Sequence, residues 1–172
     1  KGGQSEKGGG IKSINSVLNL DHVIITNNEA YSGEGGGLYL YNTTANLEKV
    51  TISDNHSTSL NGAGIYCQNS DIEIHNSIIW DNYPNEISVA GNLQSYIHLS
   101  YSNLGDTYEN QDDITSNNNL EIIYNNSISE DPQFNGSEPL EFNLLWGSPC
   151  IDAGDPQSTP DPDDGTRIEM GA

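Results

Sequence analysis

The sequence predicts an all-β fold: a right-handed parallel β-helix (a solenoid) of about five coils, closed by an irregular C-terminal cap. The first observation behind this is a fixed period. Gly8-Gly9-Gly10-Ile11, Gly35-Gly36-Gly37-Leu38 and Gly62-Ala63-Gly64-Ile65 begin 27 residues apart. The second is that Asn28, Asn55 and Asn82 keep that spacing, as do Leu20, Leu47 and Ile74. The third is the pattern inside each unit, where apolar residues alternate with period two, as in half-buried strands rather than helices.

Three short strands make one coil. Ile11 and Ser13, Leu38 and Leu40, and Ile65 and Cys67 share one face of the first strand. Leu18 and Leu20, Ala45 and Leu47, and Ile72 and Ile74 do so in the second, and Val23 and Ile25, Val50 and Ile52, and Ser77 and Ile79 in the third. Each strand is expected to pair with its equivalent one coil away, about 4.8 Å along the axis, so that inward side chains form columns. The glycines suit the corner before the first strand, where the chain bends tightly or takes positive φ. Asn28, Asn55 and Asn82 follow the third strand. Asn tolerates left-handed geometry, and its amide can bond to the amides above and below, so a structural ladder is expected there. A leucine-rich repeat is the rival at this period, but its leucine spacing and helical half are missing, and the strand pattern excludes an all-helical repeat.

The glycine motifs combine with Ile25-Thr26-Asn27-Asn28, Ile52-Ser53-Asp54-Asn55 and Ile79-Trp80-Asp81-Asn82. Together they resemble the surface β-helix repeats of bacterial polymorphic outer-membrane proteins. Asp131-Pro132-Gln133-Phe134, the stretch Gly147-Ser148-Pro149-Cys150-Ile151-Asp152-Ala153-Gly154-Asp155-Pro156 and the final 12 residues resemble the closing segment of secreted bacterial β-helix repeat proteins. The resemblance implies the fold and a secreted or cell-surface location, and it implies no activity. Because the chain opens inside a repeat-like segment (Lys1 to Lys7), it is expected to be one portion of a longer polypeptide.

The 172 residues suffice for one domain. Its 25 acids against five bases give a net charge of −20, which repels nucleic acid and anionic lipid and excludes both as partners. No apolar stretch approaches the roughly 20 residues of a membrane span, and no signal peptide is present. The 22 asparagines and 18 glycines are explained by repeated turns.

The domain divides into coils over 1–130, regular over 8–84 and degenerate over 85–130, and a capping segment over 131–172. Ile97 to Leu104 matches Ile72 to Ile79 at a spacing of 25. Residues 105–119 are polar and acidic and read as a long loop leaving the coil, after which Leu120 to Ile128 returns as strand. The terminal segment holds six of the seven prolines and is expected to fold over the last coil, protecting its open strand edges. The opposite end shows no comparable cap, which points to upstream coils or head-to-tail stacking.

Several residues carry candidate chemistry. Asp161, Asp163, Asp164 and Asp155 offer hard oxygen ligands near Gly165, as in the start of a Ca²⁺ loop, although the terminal Glu of such a loop is missing. The bland alternative is an Asx-turn that orders the cap. Tyr39 and Tyr66 occupy outward positions of the first strand, beside Lys12 of the first coil, where exposed rings can stack on a sugar or a protein. Ile24 and Ile78 also point outward, with Thr51 between them. Glycosidic hydrolysis needs two facing carboxylates, for which Asp54/Asp81 and Asp112-Asp113 are the candidates. Lyase chemistry needs more bases than this chain has. Cys67 reads as a buried thiol in an inward column, and a bridge to Cys150 requires the cap to return to the third coil. His22, His56, His75 and His98 have no metal-like spacing. The sequons at Asn42, Asn55, Asn125 and Asn135 are expected by chance in so asparagine-rich a chain.

These features predict a non-catalytic structural or adhesive domain, secreted or on the cell surface. Its expected partners are other copies of itself or a surface protein or glycan; no cofactor is expected, and Ca²⁺ is the one candidate. The alternative is a carbohydrate-active enzyme or its binding portion.

Overall fold

A computed structural model describes residues 1–59, 62, 64–105, 120–137, 141–161 and 165–171, and the backbone of 114–116. It is an all-β parallel solenoid of about four turns. The first strand of each coil is β2 (Ile11–Ile14), β5 (Leu38–Tyr41), β8 (Ile65–Gln68), β11 (Ile87–Ala90) and β14 (Ile114–Ser116). These five pair in coil order into one parallel sheet. Five rungs enclose four complete turns, which is why the count falls below the predicted five.

The second and third strands share a bent seven-stranded sheet. In the first two coils they run as single strands, β3 (Val17–Thr26) and β6 (Thr44–Ser53). Later coils divide them: β9 (Asp71–His75) and β10 (Ile78–Trp80), β12 (Ser95–Ser100) and β13 (Asn103–Leu104), then β15 (Leu120–Asn125). The bend lies at a left-handed residue in every coil, namely His22, Lys49, Asn76, Tyr101 and Asn126, with φ between 48° and 52°. A small third sheet, β1 (Gln4–Ser5), β4 (Glu29–Ala30) and β7 (His56–Ser57), closes the remaining side.

The predicted columns form in register. Ile11, Leu38 and Ile65 pair in series, as do Leu20, Leu47 and Ile74 and Ile25, Ile52 and Ile79. They fill one buried core with Leu40, Cys67, Ile72, Ile87, Val89, Ile97 and Leu99. Full burial of each such side chain stabilises by about 1.5–3 kcal/mol. The core thins at both ends, where Ile11, Leu18, Leu20 and Val23, and at the far end Leu120 and Ile122, are only partly buried.

Backbone donors that face inward at the corners are met by stacked hydroxyls. Val50 N donates to Ser77 Oγ (3.0 Å), Ser77 N to Ser102 Oγ (3.1 Å) and Ser102 N to Ser127 Oγ (3.2 Å). A second series links Thr43 N to Ser70 and Ser70 N to Ser95. Unbonded, each buried N–H would cost about 1–3 kcal/mol.

Two expectations are corrected. Residues 105–119 are not wholly a loop, because Ile114–Ser116 pairs with Ile87–Val89 as a fifth rung. The remainder of that stretch, apart from Gly105, lies outside the described residues. The terminal segment 131–172 also differs from the predicted end-cap, because its described contacts run along the flank of the coils. Asp155 N and Gly171 N both donate to Asn76, at 2.7 Å each. Ile78, Cys150 and Met170 form a second apolar cluster, with Trp80, Tyr101, Ile128, Phe134 and Leu144 packed on it. Lys1 Nζ meets Glu141 at 2.8 Å. The outward apolar column explains this placement: Ile78 is an outward residue of the third strand and needs a cover. Among the described residues no helix is long and apolar enough to cross a membrane.

Candidate functional site

Asn28, Asn55 and Asn82 form the predicted ladder, and all three are buried. Asn28 donates from Nδ2 to Asn55 Oδ1 (2.8 Å), and Asn55 from Nδ2 to Asn82 Oδ1 (2.9 Å). Their backbone amides donate to the same oxygens, at 3.1 and 3.0 Å. Left-handed geometry lies one residue earlier than expected, at Asn27, Asp54 and Asp81 (φ 55–60°). The ladder residues point inward because the corner is turned just before them. Gly10, Gly37 and Gly64 make room for the amides. A Cβ at Gly64 would sit 2.9 Å from Asn82 Nδ2, and one at Gly37 3.1 Å from Asn55 Nδ2.

Glu86, which the repeat pattern did not single out, ends this ladder. Its carboxylate accepts from Asn82 Nδ2 at 2.5 Å and from Asn82 N at 3.3 Å, and the residue is 1% exposed. The coil is short here, since Ile65 pairs with Ile87 after 22 residues instead of 27. That shortening brings Glu86 to where the next asparagine would stand.

Tyr39 and Tyr66 stack as predicted, with ring centroids 5.3 Å apart and planes at 16°. They do not form an open binding surface, because each is 6% exposed. The glycine corner folds back over the outward face: a Cβ on Gly8 would sit 3.1 Å from Tyr39 Cβ. Lys7 and Lys12 lie over the Tyr39 ring, at 5.3 and 5.6 Å, and Lys7 pairs with Glu34 at 2.7 Å. Burial, with the Glu34 charge second, pushes the Tyr66 hydroxyl up to about 12. Alternation reveals that these rings face outward but not that a neighbouring corner covers them.

Of the predicted Ca²⁺ ligands, Asp163 and Asp164 lie outside the described residues. Asp155 accepts from Gln157 N at 2.8 Å, the Asx-turn expected as the bland reading, and faces His75 at 3.3 Å. Asp161 and Asp155 line different cavities. Among the described residues no three acidic, histidine or cysteine side chains converge to hold a metal. Each histidine is set beside a carboxylate: His22 by Asp21, His56 by Glu29, His75 by Glu48 and Asp155, and His98 by Glu73.

Asp54 and Asp81 stand in one corner column. Burial, then the charge of Asp81, raises the Asp54 carboxyl above its ordinary value, and a hydrogen bond from Ser53 partly opposes this. Asp112 and Asp113 lie outside the described residues. Cys67 and Cys150 are separate buried thiols, one in the inward core and one in the flank cluster, so they do not bridge.

The terminal segment leaves a cavity of about 470 Å³ against the flank of the coils. His22, Lys49, Thr51 and Ile78 line it from the coils, and Phe142, Leu144, Ile151, Asp161, Glu169 and Met170 from the segment. His22 and Lys49 occupy the left-handed bend that the segment covers at Asn76 in the third coil, and this cavity was not anticipated from the sequence. No protein-family model matches the chain, and no curated protein or solved structure matches it significantly.

Proposed function

We propose that the chain is a non-catalytic structural or adhesive solenoid, secreted or displayed on a cell surface, the location being what its resemblance to polymorphic outer-membrane protein repeats implies. The observation that carries this reading is the unbroken amide ladder of Asn28, Asn55 and Asn82 packed on the glycine column. The most regular residues of the chain are committed to stacking one coil on the next. Among the described residues β2 and β14 are the outermost strands of the first sheet, and half-buried apolar residues lie at both ends. Outermost parallel strands with apolar ends favour head-to-tail association with further copies. Sedimentation velocity over a concentration series, with and without Ca²⁺, tests this. Elongated multimers that grow with concentration are expected, and a monomer at every concentration opposes the reading.

One observation favours the carbohydrate-active alternative: the raised carboxyl of Asp54 beside Asp81. Cleavage of neutral or acidic polysaccharides that is lost in Asp54→Asn would establish that alternative instead.

A further inference from the structure

A second amide ladder runs along the outside of the coils. Asn15, Asn42 and Asn69 take left-handed backbone at the corner between the first and second strands (φ 48–51°). Asn69 donates from Nδ2 to Asn42 Oδ1 (3.4 Å), and Asn42 from Nδ2 to Asn15 Oδ1 (3.0 Å). At the far end Leu93 N donates to Asn69 Oδ1 (3.2 Å). An amide carries two donor hydrogens and two acceptor lone pairs. The inner ladder is buried and spends them, since Asn55 Nδ2 also reaches two carbonyls. In the outer ladder each amide gives and takes at most one hydrogen bond among the described residues, and Asn15 and Asn42 are exposed.

This ladder lines a groove of about 590 Å³ that lies over three coils. Val17, Thr44 and Asp71 are paired in series and line it from the start of the second strand. Asp71 accepts from Tyr96 N through Oδ1 (3.1 Å), and among the described residues its other oxygen has no hydrogen-bond partner. Leu93, 62% exposed, lines the groove from the connection between β11 and β12. Of these seven residues only Asn69 is half-buried and the rest are exposed, so a ligand can reach them.

We propose that this groove binds a neutral oligosaccharide lying along the axis of the coils. Sugar hydroxyls both donate and accept, as amides do, and the ladder offers such a partner once per coil, about every 4.8 Å. A pyranose ring advances a glycan chain by about the same length, whereas an extended peptide advances about 3.3 Å per residue and loses step. The spare oxygen of Asp71 accepts a hydroxyl with charge assistance, and Val17 and Leu93 meet the apolar C–H faces of the rings. Among the described residues lining the groove there is one acid and no base, and the net charge of −20 turns anionic glycans away. The volume is within the usual range for small-ligand sites. This inference rests on the adhesive reading above, for which it names a class of partner and its place, and it does not require association between copies.

The test is NMR titration of the whole chain with cellohexaose, mannohexaose and xylohexaose, all uncharged, beside hexagalacturonate and the glucosamine hexamer. At least one neutral hexasaccharide is expected to bind and to shift the side-chain amide signals of Asn15, Asn42 and Asn69. Asp71→Ala is expected to weaken that binding roughly tenfold to a hundredfold, the worth of a charge-assisted hydrogen bond. Binding by none of the three, tighter binding of either charged hexamer, or shifts confined to other residues would each overturn the proposal. These readings use the unaltered protein, so they do not depend on a variant folding. Multimers that bind no neutral hexasaccharide would remove this proposal and leave the stacking of copies standing, whereas a monomer that binds one would do the reverse.

Discussion

Asn55 donates from Nδ2 to Asn82 Oδ1 at 2.9 Å while its own Oδ1 accepts from Asn28 at 2.8 Å. The same nitrogen also reaches the carbonyls of Ile25 (2.9 Å) and Ser53 (3.1 Å). One buried amide thus joins three coils. Asn55→Ala removes an acceptor from both the Asn28 amide and its backbone N–H, and should cost about 2–4 kcal/mol in chemical denaturation, as two or more buried groups lose their partners. Asn55→Asp should cost more at neutral pH, because its carboxylate faces three oxygen acceptors. That excess should shrink in acid, where the carboxyl protonates and can donate again.

Glu86 stands at the end of this ladder as an acceptor for Asn82. Glu86→Gln keeps an acceptor oxygen and should stay close to wild type in melting temperature. Glu86→Ala strips it and should destabilise by about 1–3 kcal/mol. Equal effects of the two substitutions would show that the ladder does not need this residue.

Asp54 is held above its ordinary value by burial and by Asp81, so its ionised form works against folding. The cost is full above the raised folded-state value and disappears once pH falls below the ordinary carboxylate value. Asp54→Asn should therefore raise the melting temperature at pH 7, with the gain shrinking as pH falls toward 3. Asn also suits the left-handed backbone at this position (φ 55°), and that part of the gain should persist in acid.

Burial pushes the Cys67 thiol well up and the Cys150 thiol to about 11, the latter despite hydrogen bonds involving Asn103 and Ser148. Neither is expected to react with a thiol reagent at pH 8 in the native state, and both should react in denaturant. A fast native reaction at Cys150 would mean that the terminal segment leaves the flank.

The coil was legible because it repeats. The columns through Ile11, Leu20 and Ile25 and the asparagine ladder all follow from a spacing of 27 and period-two alternation. What escaped depends on how non-repeating parts fold onto that frame. Tyr39 and Tyr66 face outward as read, yet a neighbouring corner covers them. Ile78 was read as an outward apolar residue, and the terminal segment hides it completely. Glu86 reached the ladder only through a shortened coil, which a column-by-column extrapolation cannot anticipate. Ser77, Ser102 and Ser127 recur at a spacing of 25, and that recurrence is the sequence mark of the hydroxyl ladder.

The central claim is that the repeat exists for stacking and that its open ends continue that stacking between copies. Sedimentation velocity of the wild type beside Val17→Lys tests it most directly, because Val17 lies 67% exposed on the edge strand β3 and a lysine there blocks strand addition. The account predicts concentration-dependent multimers for the wild type and a monomer for Val17→Lys. Identical monomeric profiles for the two proteins at every concentration would contradict it.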